Sequence, residues 1–279
     1  MNTGTGHIGT MRVSHNLDGV IIQGSIAKYL HGENMTPLSR NGVKMAIEKL
    51  DTAINLSLSG VAVGSIEIGT SIILRENPGE YLRLFGDMRG YTKTAHSKYG
   101  FLKTVSYGTP TGAYQFCAYD KGREMADKKQ PIPALFSGKH VLRLEYRIVR
   151  RRGIRNKLGQ DITAYDLFNY EVYRRLQSLF LEVYQAIPKT GRVVYIDKSK
   201  PMTPALLERL QAEQWRQSYP EKYNAVLQSL TESGSLTAKN IERIRAKDRR
   251  QGRDFSMSDK SPLIAELDNH VRTAAKSGA

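Results

Sequence analysis

The sequence predicts an α+β protein in which an antiparallel-rich sheet with packed helices is followed by a C-terminal helical region. Three observations lead to this prediction. Short runs with period-two alternation of apolar and polar residues, typical of half-buried strands, recur up to residue 149. Two longer stretches repeat apolar residues every three to four positions, which is typical of amphipathic helices. Beyond residue 200, helical segments alternate with Pro and Ser/Gly breaks.

The first ninety residues predict a strand, a helix, a strand and a second helix. The helix assignments rest on apolar spacing and on Asn77-Pro78, which supplies an N-cap and a first-turn proline. β-branched runs such as Val20-Ile21-Ile22 predict the strands. In order, the elements are a loose Gly/Thr-rich opening (1–8), a strand (12–24), a helix (41–58), a strand (61–74) and a helix (77–88).

The middle of the chain predicts antiparallel pairing. Residues 99–107 and 114–121 are β-rich and are joined by a hairpin-like turn. In 141–149 apolar and polar residues alternate, which places Arg143, Glu145 and Arg147 on the face opposite Leu142, Leu144, Tyr146 and Ile148. A helix with a broad apolar stripe follows over 163–186. The segment 91–99 interleaves aromatics with cations, so it is either a loop that stacks on unpaired bases or a flexible polar connection.

Composition changes after residue 190, which predicts two domains, 1–190 and a helical basic region over 191–279. Within the second domain, the predicted helix 237–250 and Arg253 just after it are rich in arginine and lysine, so this stretch is strongly basic. A solvated surface helix is the alternative interpretation. The predicted helices are 203–215, 221–229, 237–250 and 263–275, and the basic residues are Arg243, Arg245, Lys247, Arg249, Arg250 and Arg253.

The charge balance predicts a polyanionic partner. The chain has 42 Lys+Arg against 27 Asp+Glu, a formal net charge of +15, and nucleic acid is the expected polyanion. A membrane surface is the alternative, but no amphipathic or lipidated anchor stands out.

With a single cysteine, Cys117, the chain has no disulfide framework and no multi-cysteine zinc site. No secretory signal or spanning segment is visible, so we expect a cytoplasmic protein without membrane contact.

Tyr119 and Lys121 form the first candidate site. Alternation along the strand 114–121 places both on one face. A tyrosine with a pKa near 10 needs a partner that favours the phenolate, and a neighbouring lysine is of that type. The alternative is a tyrosine that only packs.

Glu67 and Glu145 form the second candidate site. Glu67 lies in a β-branched run, between Ile66 and Ile68, and Glu145 lies in a predicted strand whose other face is apolar. A carboxylate in a buried strand is costly unless it is paired or binds a cation. One interpretation is therefore an ion pair, for instance with Arg143. The other is a pair of ligands for a hard divalent cation, Mg²⁺ or Mn²⁺.

Five segments resemble the replication initiators of filamentous phages and related plasmids. Residues 24–34, GSIAKYLHGEN, are similar to the family signature Ser-Pro-Ala-Lys-x-Leu-Gln-Gly-His-Asn, with Ile26 in place of the proline. The likeness covers about 24–159. The other segments follow in the family's order and are Ser65-Ile66-Glu67-Ile68, TVSYG (104–108), AYDKGRE (118–124) and LRLEYR (142–147).

The resemblance implies a phage or plasmid replication protein that nicks one strand of an origin, stays attached through a 5′-phosphotyrosine and later rejoins the displaced strand. It implies that 1–190 is the catalytic nicking and joining domain. Tyr119 maps onto the nucleophile, with Lys121 assisting phenolate formation or phosphate binding. Glu145 and Glu67 map onto carboxylates that hold Mg²⁺ or Mn²⁺. The implied partners are origin DNA, duplex and single-stranded, with a host helicase as a further candidate.

Two questions stay open at this level. Tyr165, Tyr170 and Tyr173 are rival nucleophiles, and Tyr173 is the strongest because Tyr170 is predicted to face the core. Two alternative functions also stay open. One is a non-catalytic DNA-binding regulator or single-strand binder, and the other is a mobilisation relaxase. The predicted DNA-binding residues are Arg143, Arg147, Arg150, Arg151, Arg152, Arg155 and, in the signature, Lys28.

Overall fold

A five-stranded sheet is the main feature of the computed structural model, which describes residues 4–17, 19–98, 101–189, 208, 220–244 and 262–276. Its strand order is β4-β8-β7-β6-β5, and all neighbours are antiparallel. The predicted α+β class and antiparallel sheet are confirmed. The strands are β4 (Ile66–Leu74), β5 (Thr92–Lys98), β6 (Phe101–Gly108), β7 (Tyr114–Asp120) and β8 (His140–Ile148).

A separate three-stranded antiparallel sheet precedes it, formed by β1 (Gly4–Ile8), β2 (Met11–Asn16) and β3 (Gly19–Gln23). The prediction of a loose opening over 1–8 is therefore wrong from Gly4 onward. The residues between β1 and β2 include Gly9, whose φ of 57° permits the tight turn. Pairing with β2 thus overrides the weak strand propensity of a Gly/Thr-rich segment.

The described residues include eight α-helices with complete bounds. Polar caps define several of their ends: Ser39 accepts a hydrogen bond from the Gly42 N–H, and Asn77 accepts one from the Gly79 N–H. They are α1 (Ile26–His31), α2 (Arg40–Ile54), α3 (Pro78–Leu82), α4 (Lys121–Asp127), α5 (Arg151–Leu158), α6 (Tyr170–Ala186), α7 (Pro220–Glu232) and α8 (Pro262–Lys276).

The predicted single helix over 163–186 is in fact two elements. Tyr165–Phe168 forms a 3₁₀ turn, and Asn169 then caps α6 by accepting hydrogen bonds from the N–H groups of Glu171 and Val172. Tyr170, the first residue of α6, is 51% exposed. Its predicted core-facing position is wrong, because the apolar stripe of α6 begins beyond this first turn.

The predicted loop over 91–99 is largely the edge strand β5, which pairs with β6. Its sequence, TKTAHSK, is polar, as is usual for an edge strand, and among the described residues β5 pairs with a strand on one side only. The prediction of a loop is therefore wrong, whereas base stacking by this segment stays a prediction. The partly buried Lys93 donates from its Nζ to the carbonyl of Phe85 at 2.6 Å.

One face of the five-stranded sheet packs against α3, α6 and α8 to form the main core. Alternation along β8 directs Leu142, Leu144, Tyr146 and Ile148 into this core, as predicted, and all four are fully buried. The opposite face of β8 carries Arg143, Glu145 and Arg147. The polar face of the sheet is where the candidate site lies.

The chain divides into two compact units, 1–190 with 262–279, and 191–261. Helix α8 belongs to the first unit, although the sequence placed it in the basic region, because Leu267 and Val271 are buried in the main core and Glu266 accepts a hydrogen bond from Tyr81 at 2.7 Å. Of the predicted basic set, Arg243 lies in a described helical stretch, while 245–253 and all of 203–215 except residue 208 lie outside the described residues. None of the described helices is long and apolar enough to span a membrane.

Candidate active site

Three rows of mostly polar residues cross four strands, β4, β8, β7 and β6, on the outer face of the five-stranded sheet. Residues directly opposite each other on antiparallel strands share a face. The register therefore brings Glu67, Tyr119 and Glu145, which come from three different sequence motifs, onto one surface. The rows run Ser71, Arg143, Tyr119, Thr104; Gly69, Glu145, Cys117, Ser106; and Glu67, Arg147, Gln115, Gly108.

Tyr119 and Glu145 are hydrogen-bonded at the centre of this face. The Tyr119 hydroxyl donates to Glu145 Oε1 at 2.8 Å, and Arg143 Nε donates to the same oxygen at 3.2 Å. Burial raises the pKa of Tyr119, and the Glu145 carboxylate raises it further. Burial alone would raise the pKa of Glu145, but Arg143, the Tyr119 hydroxyl and Arg147 together hold that pKa below its usual value. At rest the phenol is therefore protonated and the carboxylate is ionised.

Arg147 bridges the two predicted metal ligands. Its Nη2 donates to Glu145 Oε2 at 2.6 Å, and its Nε donates to Glu67 Oε2 at 2.7 Å. Glu145 is only 2% exposed, whereas the side chains of Glu67 and Arg147 are about two-fifths exposed. Both carboxylates are therefore ion-paired in the structure, which agrees with the first interpretation. Arg147 is an ion-pair partner in addition to Arg143.

The carboxylates of Glu67 and Glu145 are the right class and number of ligands for Mg²⁺, which is often held by one or two carboxylates and substrate phosphates. The guanidinium of Arg147, however, lies between them and engages both. Across the described ranges, no group of three or more His, Cys, Asp and Glu side chains could hold a metal. As arranged, these residues do not fit a divalent cation, and the Mg²⁺ or Mn²⁺ site stays a prediction.

Lys121 lies near Tyr119 but not on its strand. β7 ends at Asp120, whose carboxylate accepts from the Arg123 N–H and caps α4, so Lys121 is the first residue of that helix. The prediction that Lys121 continues the strand face is wrong for this reason. Its buried Nζ donates to Glu124 at 2.6 Å and lies 5.7 Å from the centre of the Tyr119 ring. Glu124, whose carboxylate fixes Lys121, is a site residue that residue spacing alone did not reveal.

Gly69 is a second residue missed by the sequence analysis. It lies directly opposite Glu145, and the guanidinium of Arg143 occupies the space where a side chain would be. A Cβ at this position would lie 2.6 Å from Arg143 Nη2 and 3.0 Å from the carbonyl oxygen of Leu144. A glycine within a β-branched strand is the signal that could have indicated this close approach.

The Gly69→Ala variant is expected to lose about 1–3 kcal/mol of unfolding free energy, because the new methyl group must displace Arg143 from Glu145. Urea denaturation measures this loss. Gly64→Ala is the matched control, since its Cβ would meet nothing within 4 Å, and its stability should change by less than about 0.5 kcal/mol. Equal stabilities of the two variants would contradict the proposed packing of Arg143 on Gly69.

Five residues of the signature segment 24–34 line a cavity of about 900 Å³ beside the site, namely Gly24, Ser25, Ile26, Ala27 and Asn34. Ser25 caps α1 by accepting from the Lys28 N–H at 3.3 Å, and Gly32 ends the helix with φ of 79°. Glu33 accepts hydrogen bonds from the N–H groups of the loop that follows. The half-buried Lys28 has no carboxylate within ion-pair distance among the residues described. Glu67, Arg143 and Arg147 also line this cavity.

Tyr173, the predicted rival nucleophile, lines the same cavity from α6. Its hydroxyl donates to the carbonyl of Leu38 at 2.9 Å, and burial raises its pKa. The hydroxyl of Tyr165 donates to Asp51 at 2.5 Å, in the cluster formed by α2. Tyr119 thus differs from Tyr173 in having a carboxylate, rather than a backbone carbonyl, as its hydroxyl partner.

The predicted DNA-binding arginines divide into free and paired groups. Arg151 and Arg155 donate to Asp161 at 2.9 and 3.1 Å, and these hydrogen bonds lower the pKa of Asp161 to about 2. Asp161 follows the predicted DNA-binding arginines in the sequence, the last of which is Arg155. Arg150 and Arg152 are exposed and have no ion pair within the described part of the chain. Arg143 is 6% exposed, so it can reach a phosphate only inside the site.

Comparison with known protein families identifies the family to which this chain belongs. A family model described as the N-terminal region of a phage replication-associated protein matches residues 7–165, more than half of the chain. This range contains Glu67, Tyr119, Lys121 and Glu145, and it ends before Tyr173. No curated protein matches the chain. The chain therefore belongs to this family of phage replication-associated proteins, which is a replication initiator family.

Proposed function

We propose that this protein initiates rolling-circle DNA replication by nicking one origin strand with Tyr119 and later rejoining the displaced strand. The observation that carries the proposal is the 2.8 Å hydrogen bond from the Tyr119 hydroxyl to Glu145 Oε1. A nucleophile bonded to a base, which is itself oriented by a third group, is the usual arrangement for covalent catalysis. Here Arg143 is the orienting group, because it donates to the same carboxylate oxygen.

In the nicking step, the Tyr119 oxygen attacks the phosphorus of the scissile phosphodiester and its proton passes to Glu145. The bond from phosphorus to the 3′ oxygen breaks, and that oxygen takes a proton from solvent to become a 3′ hydroxyl. The 5′ phosphate is then esterified to tyrosine. Rejoining runs the same steps in reverse, with Glu145 returning the proton to Tyr119. Because one phosphoester replaces another, no ATP is needed.

Proton transfer has to accompany the attack. Since burial raises the pKa of Tyr119, a free phenolate is scarce at neutral pH. Charge that develops on the phosphate and the phenol is stabilised by nearby cations fixed in advance. Lys121, which Glu124 holds 5.7 Å from the Tyr119 ring, and Arg143, directly opposite Tyr119 on β8, are the residues in position for this role.

A non-catalytic DNA-binding protein is the second candidate function. It is favoured by the complete pairing of Glu145 with Tyr119, Arg143 and Arg147, an arrangement that also stabilises a fold without any chemistry. Incubation of the full chain with labelled origin DNA, followed by denaturing electrophoresis, separates the two. A covalent protein–DNA adduct supports the nicking enzyme, and nicking or binding without an adduct contradicts the tyrosine mechanism.

DNA binding is expected to weaken steeply with salt, because phosphate contacts by Arg and Lys release condensed counterions. Each contact to duplex DNA contributes about −0.9 to the slope of log K against log[salt]. Replacing both Arg150 and Arg152 by Gln should flatten the slope by about 1.8. The matched Arg151→Gln/Arg155→Gln pair should flatten it less, because Asp161 already engages these guanidinium groups. Fluorescence anisotropy at several salt concentrations measures the slopes, and a flat plot for the parent protein would refute the expectation.

A further inference from the structure

The cavity beside the site is built from elements that are far apart in the sequence. Its volume of about 900 Å³ is within the usual range for ligand-binding pockets, about 300–1,000 Å³. Six consecutive residues, 65–70, line it, and among the described strands β4 pairs only with β8. The segment 36–39, helix α6 and the end of α8 also contribute residues to the lining. The cavity can therefore hold a group of the size of a small organic ligand.

The charged residues of the lining belong to the candidate active site. Among the described residues that line the cavity, Glu67, Arg143 and Arg147 alone carry a charge. Arg147 is ion-paired with Glu67, and Arg143 is ion-paired with Glu145. The other lining residues are apolar, or polar and neutral. Because a charged group among them would lose hydration without gaining a counter-ion, this part of the cavity suits a neutral group.

Two carboxamide side chains in the lining have unused hydrogen-bonding groups. Asn34, in the loop after α1, is half-buried, and its side chain makes no hydrogen bond to any residue that the structure describes. Gln177, on α6, is also half-buried and only accepts a hydrogen bond from Arg174 at 3.4 Å, so its amide N–H groups are unused within the described ranges. Ser25 and Ser39, in contrast, already cap α1 and α2. Polar groups removed from water usually have a partner, so Asn34 and Gln177 indicate a ligand.

A nucleobase matches these groups. It is planar and neutral, its faces are apolar, and its edge presents donors and acceptors side by side. A carboxamide, which also has a donor and an acceptor side by side, can form two hydrogen bonds with such an edge. The apolar residues Ile26, Leu38 and Ile68 line the same cavity and can pack against the faces of the ring. A base inside a duplex has its edge paired and its faces stacked, so the ligand must be an unpaired base.

The cavity and the proposed nicking site share residues. Arg143 lines the cavity and lies directly opposite Tyr119 on the neighbouring strand. A strand whose phosphate lies at Tyr119 therefore passes beside the cavity. We propose that the cavity is a subsite for one unpaired nucleobase close to the scissile phosphate, and that Asn34 and Gln177 recognise the edge of this base. The inference rests on the proposed function only in placing the scissile phosphate at Tyr119.

Binding of single-stranded origin oligonucleotides in which one nucleotide is abasic tests the proposal. The full chain carries Tyr119→Phe so that no strand is cut, and fluorescence anisotropy gives the dissociation constant for each abasic position. At one position the loss of the base should weaken binding by about tenfold or more, the contribution of one well-formed pair of hydrogen bonds. Adding Asn34→Leu and Gln177→Leu together should weaken binding of the intact strand by a similar factor. The double change should also remove most of the effect of that abasic position, because both alterations delete the same contact.

Two further variants isolate the base contact. Ser178→Ala changes an exposed residue of α6 that is not part of the lining, so the abasic effect should stay unchanged. Ala27→Phe fills the cavity without deleting a hydrogen-bonding side chain, and it should abolish the abasic effect.

Equal effects of every abasic position would overturn the proposal, and so would an abasic effect that persists in both Asn34→Leu/Gln177→Leu and Ala27→Phe. Competition by free deoxynucleoside monophosphates, with no abasic effect in the strand, would contradict it as well, because the cavity would then take a free nucleotide. The base dependence is measured without cutting. A parent chain that shows this dependence but forms no adduct therefore counts against the proposed nicking function alone.

Discussion

Tyr119→Phe is expected to abolish the covalent adduct between protein and origin DNA while DNA binding is retained. The substitution removes only the hydroxyl that attacks phosphorus, so the nicking step loses its nucleophile. The hydroxyl is also bonded to the buried Glu145, and its loss should lower the unfolding free energy by about 1.5–3 kcal/mol. Denaturing electrophoresis of labelled DNA measures the adduct, anisotropy measures binding, and urea denaturation confirms that the variant is folded.

Tyr173→Phe is the matched comparison, because it removes a hydroxyl that lines the same cavity but is bonded to a backbone carbonyl. This variant should form the adduct at the rate of the parent. An adduct that persists in Tyr119→Phe, and that peptide mapping places on Tyr173, would make the α6 tyrosine the nucleophile. Tyr119 would then be a residue that only holds Glu145.

Glu145→Gln is expected to slow nicking by about 10²–10⁴-fold, the usual contribution of a general base. The amide cannot take the Tyr119 proton, and it is a poor ligand for a hard cation. The variant also leaves Arg143 with a buried charge and no carboxylate, which should cost about 3–5 kcal/mol of stability. Single-turnover nicking of supercoiled origin plasmid at limiting Mg²⁺ gives the rate, and it is measured at a temperature where denaturation shows the variant folded.

Glu67→Gln separates the chemical effect from the structural one. Its side chain is 41% exposed and pairs with the half-exposed Arg147, so the stability change should stay below about 1 kcal/mol. Nicking should slow by less than in Glu145→Gln, because Glu67 does not contact Tyr119. Nicking at the parent rate in a folded Glu145→Gln protein would assign Glu145 to the ion-pair network alone.

Local periodicity determined much of this protein. Because side chains alternate along a strand, the sequence of β8 by itself placed Arg143, Glu145 and Arg147 on one face and four apolar residues on the other. The antiparallel α+β class followed from similar patterns. The motifs shared with the initiator family brought Tyr119, Lys121 and both glutamates to notice. Where apolar spacing was weak, as in the polar strand β5 and the Gly/Thr-rich strand β1, the same approach failed.

Only the tertiary structure decided how these residues meet. Tyr119 and Glu145 are 26 residues apart, and Glu67 and Arg147 are 80 apart. Their contacts depend on strand order and register, which arise from burial of the whole sheet rather than from local propensity. The same holds for the space over Gly69 that admits Arg143, and for α8, whose apolar face returns to the core after the unit 191–261. The position of the Arg147 guanidinium between Glu67 and Glu145 therefore depends on tertiary packing, and the sequence pattern did not predict it.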